Sequence, residues 1–160
     1  MGAAYPDIYA AVGVHSGLPV GAASDLPSAL AAMRQGNAAT ASRIPPRGSF
    51  LPTIVFHGDN DDTVHPINGA HIIEQAKSSR ASGLRTVAHR GQAPDGHTYS
   101  RTCYLDEQDQ AVMEMWIVHK AGHAWSGGSL SGSYTDPQGP DASREMARFF
   151  FDHTLQGPML

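Results

Sequence analysis

Apolar positions along this chain fall into short continuous runs and helix-spaced stripes, and the alternation between them lays out the elements. Tyr9-Ala-Ala-Val-Gly-Val-His15 is a continuous run closed by Ser16-Gly-Leu-Pro19, the pattern of a strand buried on both faces of a parallel sheet. Ser24 and Asp25 then offer a helix cap, with Pro27 in the first turn and Gly36 as a stop. Between them Leu26, Leu30 and Met33 recur at i, i+4, i+7, which predicts a core-facing stripe. Asn37 to Phe50 reads as a loop. Pro52-Thr-Ile-Val-Phe-His57 is a second buried strand, ending in the acidic turn Gly58-Asp-Asn-Asp-Asp62. A helix from Pro66 or Asn68 to about Arg80 is expected to turn Ala70, Ile73 and Ala76 to one face.

The pattern then changes. His97–Tyr104 and Val112–His119 are strand-like and joined by the polar turn Asp106–Gln110, which predicts a hairpin. The second arm runs into the glycine-rich Lys120-Ala-Gly-His-Ala-Trp-Ser-Gly-Gly128, and a long polar loop follows to Pro140. A last helix starts at Asp141, with Ala142, Met146, Phe149 and Phe150 on one stripe and Glu145 near its positive end. Strand, helix, strand, helix, hairpin, helix is an α/β order.

Composition narrows the class. The 160 residues are 41% hydrophobic and 16% charged, as in globular chains and unlike disordered ones. The net charge of −4, with no Lys/Arg run, argues against nucleic acid as a partner. Cys103 is the one cysteine, so neither an intrachain disulfide nor a multi-cysteine metal site is available. The apolar runs are too short for a transmembrane helix. Met1-Gly-Ala-Ala-Tyr-Pro-Asp7 has no signal-peptide pattern and reads as the last turn of a helix, so the expectation is a chain that opens within a longer domain.

Two loops begin where buried strands end, the edge at which open α/β sheets gather their catalytic groups. The first carries Asp59, Asp61 and Asp62; the second carries His123 between Gly122 and Trp125. An acid followed in sequence by a histidine matches the order of α/β-hydrolase triads. An imidazole is needed to take a serine's proton, and a carboxylate to fix the tautomer of that imidazole. The acidic turn also fits a solvated turn closed by Asx bonds. It does not fit an EF-hand, since Val64 and Ala70 stand where the loop glycine and the bidentate glutamate belong. His57 and His65 flank the turn and are expected to hydrogen-bond within it; His119 is read as the strand end. No Gly-x-Ser-x-Gly occurs: around Ser16 the glycines lie at −3 and +1. Cys103 reads as packing.

Three segments carry a resemblance across nearly the whole chain. Tyr5-Pro-Asp-Ile-Tyr-Ala-Ala-Val-Gly-Val-His-Ser-Gly17, Ile54-Val-Phe-His-Gly-Asp-Asn-Asp-Asp-Thr-Val-His-Pro-Ile-Asn-Gly69 and Ala121-Gly-His-Ala-Trp-Ser-Gly-Gly128 resemble the polyhydroxybutyrate depolymerase family of esterases. Tyr134-Thr-Asp-Pro-Gln-Gly-Pro-Asp-Ala-Ser143 leads into a final helix, as in that family. The family is similar to α/β-hydrolases and related to feruloyl and acetylxylan esterases. The resemblance implies a serine-type carboxylic ester hydrolase with Asp61 as triad acid, His123 as general base, Asp59 as the lesser candidate acid, no cofactor, no metal and a secreted location. Trp125 is expected to line an acyl pocket or to pack in the core. Lys120 stands where relatives often carry glycine. The family's nucleophile elbow lies upstream of the Tyr-Pro-Asp motif, so residues 1–160 are expected to be the C-terminal part of an α/β-hydrolase domain, its first strands and nucleophile serine absent.

Such a chain would expose the edge of its first strand, inviting self-association or the N-terminal half as partner, beside an ester or polyester substrate. A non-catalytic module that binds polymer or a partner through that edge is the competing reading. An Asp/His metal hydrolase is a third.

Overall fold

Seven strands and three helices are formed among the described residues 2, 4–36, 50–80 and 83–154 of this computed structural model. In chain order they are β1 (Val12–His15), α1 (Leu26–Gln35), β2 (Thr53–Gly58), α2 (Ile67–Ser78), β3 (Arg85–Gln92), β4 (Thr98–Leu105), β5 (Ala111–Val118), β6 (Trp125–Ser126), β7 (Thr135–Asp136) and α3 (Ala142–Phe151). The larger sheet has the order β1-β2-β5-β4-β3, and β6 pairs with β7 apart from it. Strands β1, β2 and β5 are parallel, with Val14 opposite Val55 and Phe56 opposite Trp116; β5, β4 and β3 are antiparallel. The chain is thus mixed α/β, with the loops after β2 and β5 side by side at one edge of the sheet.

Side-chain alternation in β2 and β5 builds two cores. Ile54, Phe56, Trp116 and Val118 point to one face, where Ala142, Met146 and Phe149 of α3 cover them. Val55, Met113 and Met115 point to the other, against Ile72 and Ile73 of α2. Both faces are covered, which is why the two strands read as unbroken apolar runs. Complete burial of a side chain such as Ile54 or Phe56 contributes about 1.5–3 kcal/mol. A charge is held between the layers: Glu114, fully buried, takes hydrogen bonds from Arg101, Arg148 and the Trp116 indole. Those donors outnumber what burial costs the carboxylate; burial opposes its ionisation, yet Arg101, Trp116 and Arg148 hold its pKa below the usual value. The bridge ties α3 to the sheet.

The caps form as the sequence predicts. Asp25 accepts from the Ser28 amide at 2.8 Å while Ser28 Oγ accepts from the Asp25 amide, a reciprocal box of the kind that stabilises a helix by about 1 kcal/mol. Gly36 ends α1 at φ 67°, and Asp141 caps α3 through the Arg144 amide. The faces differ from expectation. Leu26 and Leu30 are 72% and 46% exposed, and Ala32 is the buried residue of α1. The Ala32 carbonyl accepts from Asn68 Nδ2 at 3.0 Å, which brings this face of α1 against α2. In α2 the buried residues are Asn68, Gly69, Ile72 and Ile73, and Ala70 is exposed. Gly69 lies against Met115 and His57, where a Cβ would come within 2.7 Å of the Met115 methyl.

Two further differences concern elements. Strand β3, not expected from the sequence, extends the hairpin into a three-stranded meander. Gly2 and Ala4 lie in turns, with Tyr5 N–H bonded to Gly2 O, in place of the helical turn read there; Ala3 lies outside the described residues. The loop expected from Asn37 falls outside them up to residue 49. Among the described residues no helix is long and apolar enough to cross a membrane.

Candidate active site

The acidic turn and the histidine loop are locked together before any side chain is considered. Past the end of β2 the Asp59 amide donates to Val118 O and the Asn60 amide to Ala121 O. Gly58 permits this: a Cβ there would overlap the Ala121 carbonyl, a backbone atom with no freedom to yield. Lys120, at φ 64°, turns the chain out of β5 into the loop. A left-handed residue is needed at that place, consistent with the glycine expected there.

Asp61 and His123 meet across these loops. Asp61 Oδ2 lies 2.9 Å from His123 Nδ1, and Asp61 Oδ1 accepts from the amides of Thr63 at 3.0 Å and Val64 at 2.8 Å. The carboxylate is buried, whereas the imidazole is 38% exposed in its side chain. Burial alone would raise the Asp61 pKa. The Val64 amide, His123 and the Thr63 amide outweigh it and hold the carboxyl below its ordinary value, so it is ionised at neutral pH. An ionised Asp61 accepts a hydrogen bond from Nδ1–H of His123, which leaves the lone pair on Nε2, a nitrogen with no hydrogen-bond partner among the described residues. That is the arrangement of a general base awaiting a hydroxyl.

The other histidines hold the frame. His57 is fully buried and donates from Nε2 to Val64 O at 2.8 Å; burial pushes its pKa down, so it is neutral. His65 Nδ1 accepts from the Ile67 amide, and the His65 carbonyl accepts from Asn68, bonds that run into α2 where the sequence led one to expect bonds within the acidic turn. His15, at the end of β1, was not singled out by its sequence. Its Nε2 accepts from the Ser126 amide at 2.9 Å, and its ring stacks on Trp125 at 4.7 Å and on Phe56 at 5.9 Å. Burial, followed by the nearby His57 and His123, lowers its pKa to about 4. A neutral His15 therefore ties β1 to the loop that carries His123.

Trp125 stands two residues past His123, 38% exposed, its indole N–H donating to Ser143 Oγ at 3.0 Å. It is an anchored aromatic side chain on the same loop as His123. A cavity of about 310 Å3, lined by Lys77, Arg80, Leu84 and Tyr104, lies at the opposite end of the sheet and touches neither Asp61 nor His123. Asp59 does not reach His123: it bonds His119 at 2.7 Å, and Asp62 is exposed in the turn. Ser16 adopts φ 48° at the end of β1, and its buried hydroxyl has no hydrogen-bond partner among the described residues. Cys103 is buried in β4, and burial raises the pKa of its thiol. Among the described residues no group of three or more His, Cys, Asp or Glu side chains could hold a metal ion. No family model matches the chain, and no curated protein matches it.

Proposed function

We propose that Asp61 and His123 are the acid and general base of a serine-type carboxylic ester hydrolase similar to the polyhydroxybutyrate depolymerase family. The observation that carries this reading is the 2.9 Å Asp61–His123 bond, formed by a buried, amide-held carboxylate and an imidazole whose side chain is 38% exposed. Parallel β1, β2 and β5, with the acid after β2 and the base after β5, fit the last parallel strands of an α/β-hydrolase sheet. The Nε2 lone pair takes the serine proton as the ester carbonyl is attacked and returns it to the leaving alcohol; Asp61 stabilises the imidazolium between those steps.

This chain holds no Gly-x-Ser-x-Gly elbow. In this proposal the nucleophile comes from an N-terminal half seated on the open side of β1, which is an edge strand among the described residues. The substrate is an ester or polyester, with Trp125 beside its acyl part, and the enzyme is secreted, as the resemblance implies. The test is p-nitrophenyl butyrate hydrolysis by this chain mixed with an N-terminal half of such an esterase. Rescue of turnover that depends on His123 is expected. Stable binding of the half without turnover would favour a non-catalytic module, for which the same open edge is the supporting feature.

A further inference from the structure

The same sheet edge carries a second Asp–His pair, and this one has a hydroxyl on it. His119 Nδ1 lies 2.7 Å from Asp59 Oδ2, and His119 Nε2 lies 2.9 Å from Ser100 Oγ. The three side chains come from three segments that the fold holds in place. Ser100 sits on β4 opposite Ile117 of β5, so His119 is its diagonal neighbour two residues on. The His119 amide donates to Thr98 O at 2.9 Å, which fixes the backbone of the histidine against the start of β4. Asp59 is fixed from the other side, its Oδ1 accepting from the Lys120 amide at 2.6 Å. Asp59 at 40% and His119 at 35% side-chain exposure leave the group open to solvent, and Ser100 is half-buried.

We propose that Ser100, His119 and Asp59 form a second Ser–His–Asp relay, separate from Asp61 and His123, in which Ser100 is a nucleophile for activated acyl donors such as aryl esters and thioesters. A relay of this kind is recognised by geometry and roles, whatever the chain order of its members. With Nδ1 protonated toward Asp59, Nε2 is the acceptor and the Ser100 hydroxyl the donor. Attack on an aryl ester forms the Ser100 Oγ–acyl bond and breaks the acyl–oxygen bond of the ester. The hydroxyl proton passes to His119 Nε2 and from there to the departing phenoxide. Water then hydrolyses the acyl-serine by the same route. Ser100 and His119 are the reacting groups, and Asp59 is a positioning residue. A site this open to solvent suits donors whose leaving group needs little assistance.

The proposal does not rest on the Asp61–His123 reading, and its test uses this chain alone. The protein is treated with a fluorophosphonate, and the adduct is located by peptide mapping. Attack at phosphorus forms the Oγ–P bond, expels fluoride from the P–F bond and delivers the hydroxyl proton to Nε2. The expected result is an adduct on Ser100 formed at least about 100-fold faster than in the same chain unfolded in urea, and slowed by a similar factor in His119→Gln. Asp59→Asn is expected to slow it about tenfold or more, with partial rescue by Asp59→Glu. No adduct on Ser100, or one formed as fast in urea or in His119→Gln, overturns the relay. The urea comparison stands even where a variant fails to fold.

Discussion

The Asp61 carboxylate and the His123 imidazole, 62 positions apart in the chain, are joined at 2.9 Å because two backbone hydrogen bonds first join the loops that carry them. In the proposed hydrolase, Asp61 supplies orientation and His123 proton transfer. In the complemented esterase, Asp61→Asn is expected to lower kcat/KM by about 10^3–10^4, since an amide cannot hold the Nδ1–H tautomer. His123→Ala is expected to cost at least as much. Asp62→Asn, at an exposed side chain of the same turn, should change the rate by less than about twofold. Steady-state kinetics on p-nitrophenyl butyrate decide it: equal losses at Asp61 and Asp62 would leave the pair without a catalytic role.

Gly58 is expected to be intolerant of any side chain. A Cβ at this position overlaps the carbonyl of Ala121, so Gly58→Ala must push the acidic turn away from the histidine loop. Stability is expected to fall by about 2 kcal/mol or more. The bridging Nδ1–H of His123 should also vanish from its downfield position in the proton NMR spectrum. Retention of that resonance in a folded variant would show that the loops meet without help from the bare backbone.

Glu114 is the next point of vulnerability. Removing it leaves Arg101 and Arg148 aimed at an empty interior position and the Trp116 indole without its acceptor. Breaking a buried ion cluster from one side costs about 3–5 kcal/mol. Glu114→Ala should therefore shift the urea midpoint strongly, while Arg148→Ala, which leaves Glu114 with Arg101 and Trp116, should shift it less. Equal shifts would mean that the anchoring of α3 dominates over the stranded charge.

Legibility in the sequence follows the range of the interaction. Asp25, Gly36 and Asp141 announce helix ends because capping involves residues three or four apart. The acidic turn and the His123 loop are legible because each follows a buried apolar strand, and strand ends are where such groups collect; within the turn, only the family resemblance separates Asp61 from Asp59 and Asp62. The exposed Leu26 and Leu30 mislead, since which face of α1 is buried depends on the approach of Asn68 to the Ala32 carbonyl. Strand β3 has no apolar face to read; Arg85, Thr86, His89 and Arg90 are exposed, and pairing with β4 is what extends it. The Ser100–His119 contact is set by the β4–β5 register, and the His15–Ser126 bond by a separation of 111 positions. No local pattern encodes either.

Self-association is expected through β1. It pairs with β2 on one side and with no other strand among the described residues. Free backbone donors and acceptors at a sheet edge recruit other strands. Sedimentation velocity should show mass rising with concentration, and an added N-terminal half should suppress the larger species. A monomer at every concentration would mean the edge is otherwise protected.

Acid should weaken the fold well above the carboxylate range, and His15 is the reason. In the unfolded chain this imidazole titrates near 6.5, while in the fold burial, with His57 and His123 beside it and only Asp61 opposing, lowers it to about 4. Between those values the unfolded state binds a proton that the folded state refuses, so stability rises with pH across the window and is lost as pH falls through it. At roughly 1.4 kcal/mol per unit, the full window corresponds to about 3 kcal/mol. His57, lowered in the same direction by burial, adds to the slope. Asp61 and Glu114, both held low, contribute stability that is lost only at more acidic pH. His15→Gln keeps an acceptor for the Ser126 amide but cannot be protonated, so it should flatten the dependence of unfolding free energy on pH between 6.5 and 4. If the variant loses stability across that interval as steeply as the parent, the titrating group is another one, and the stacking of His15 on Trp125 has no part in the acid response.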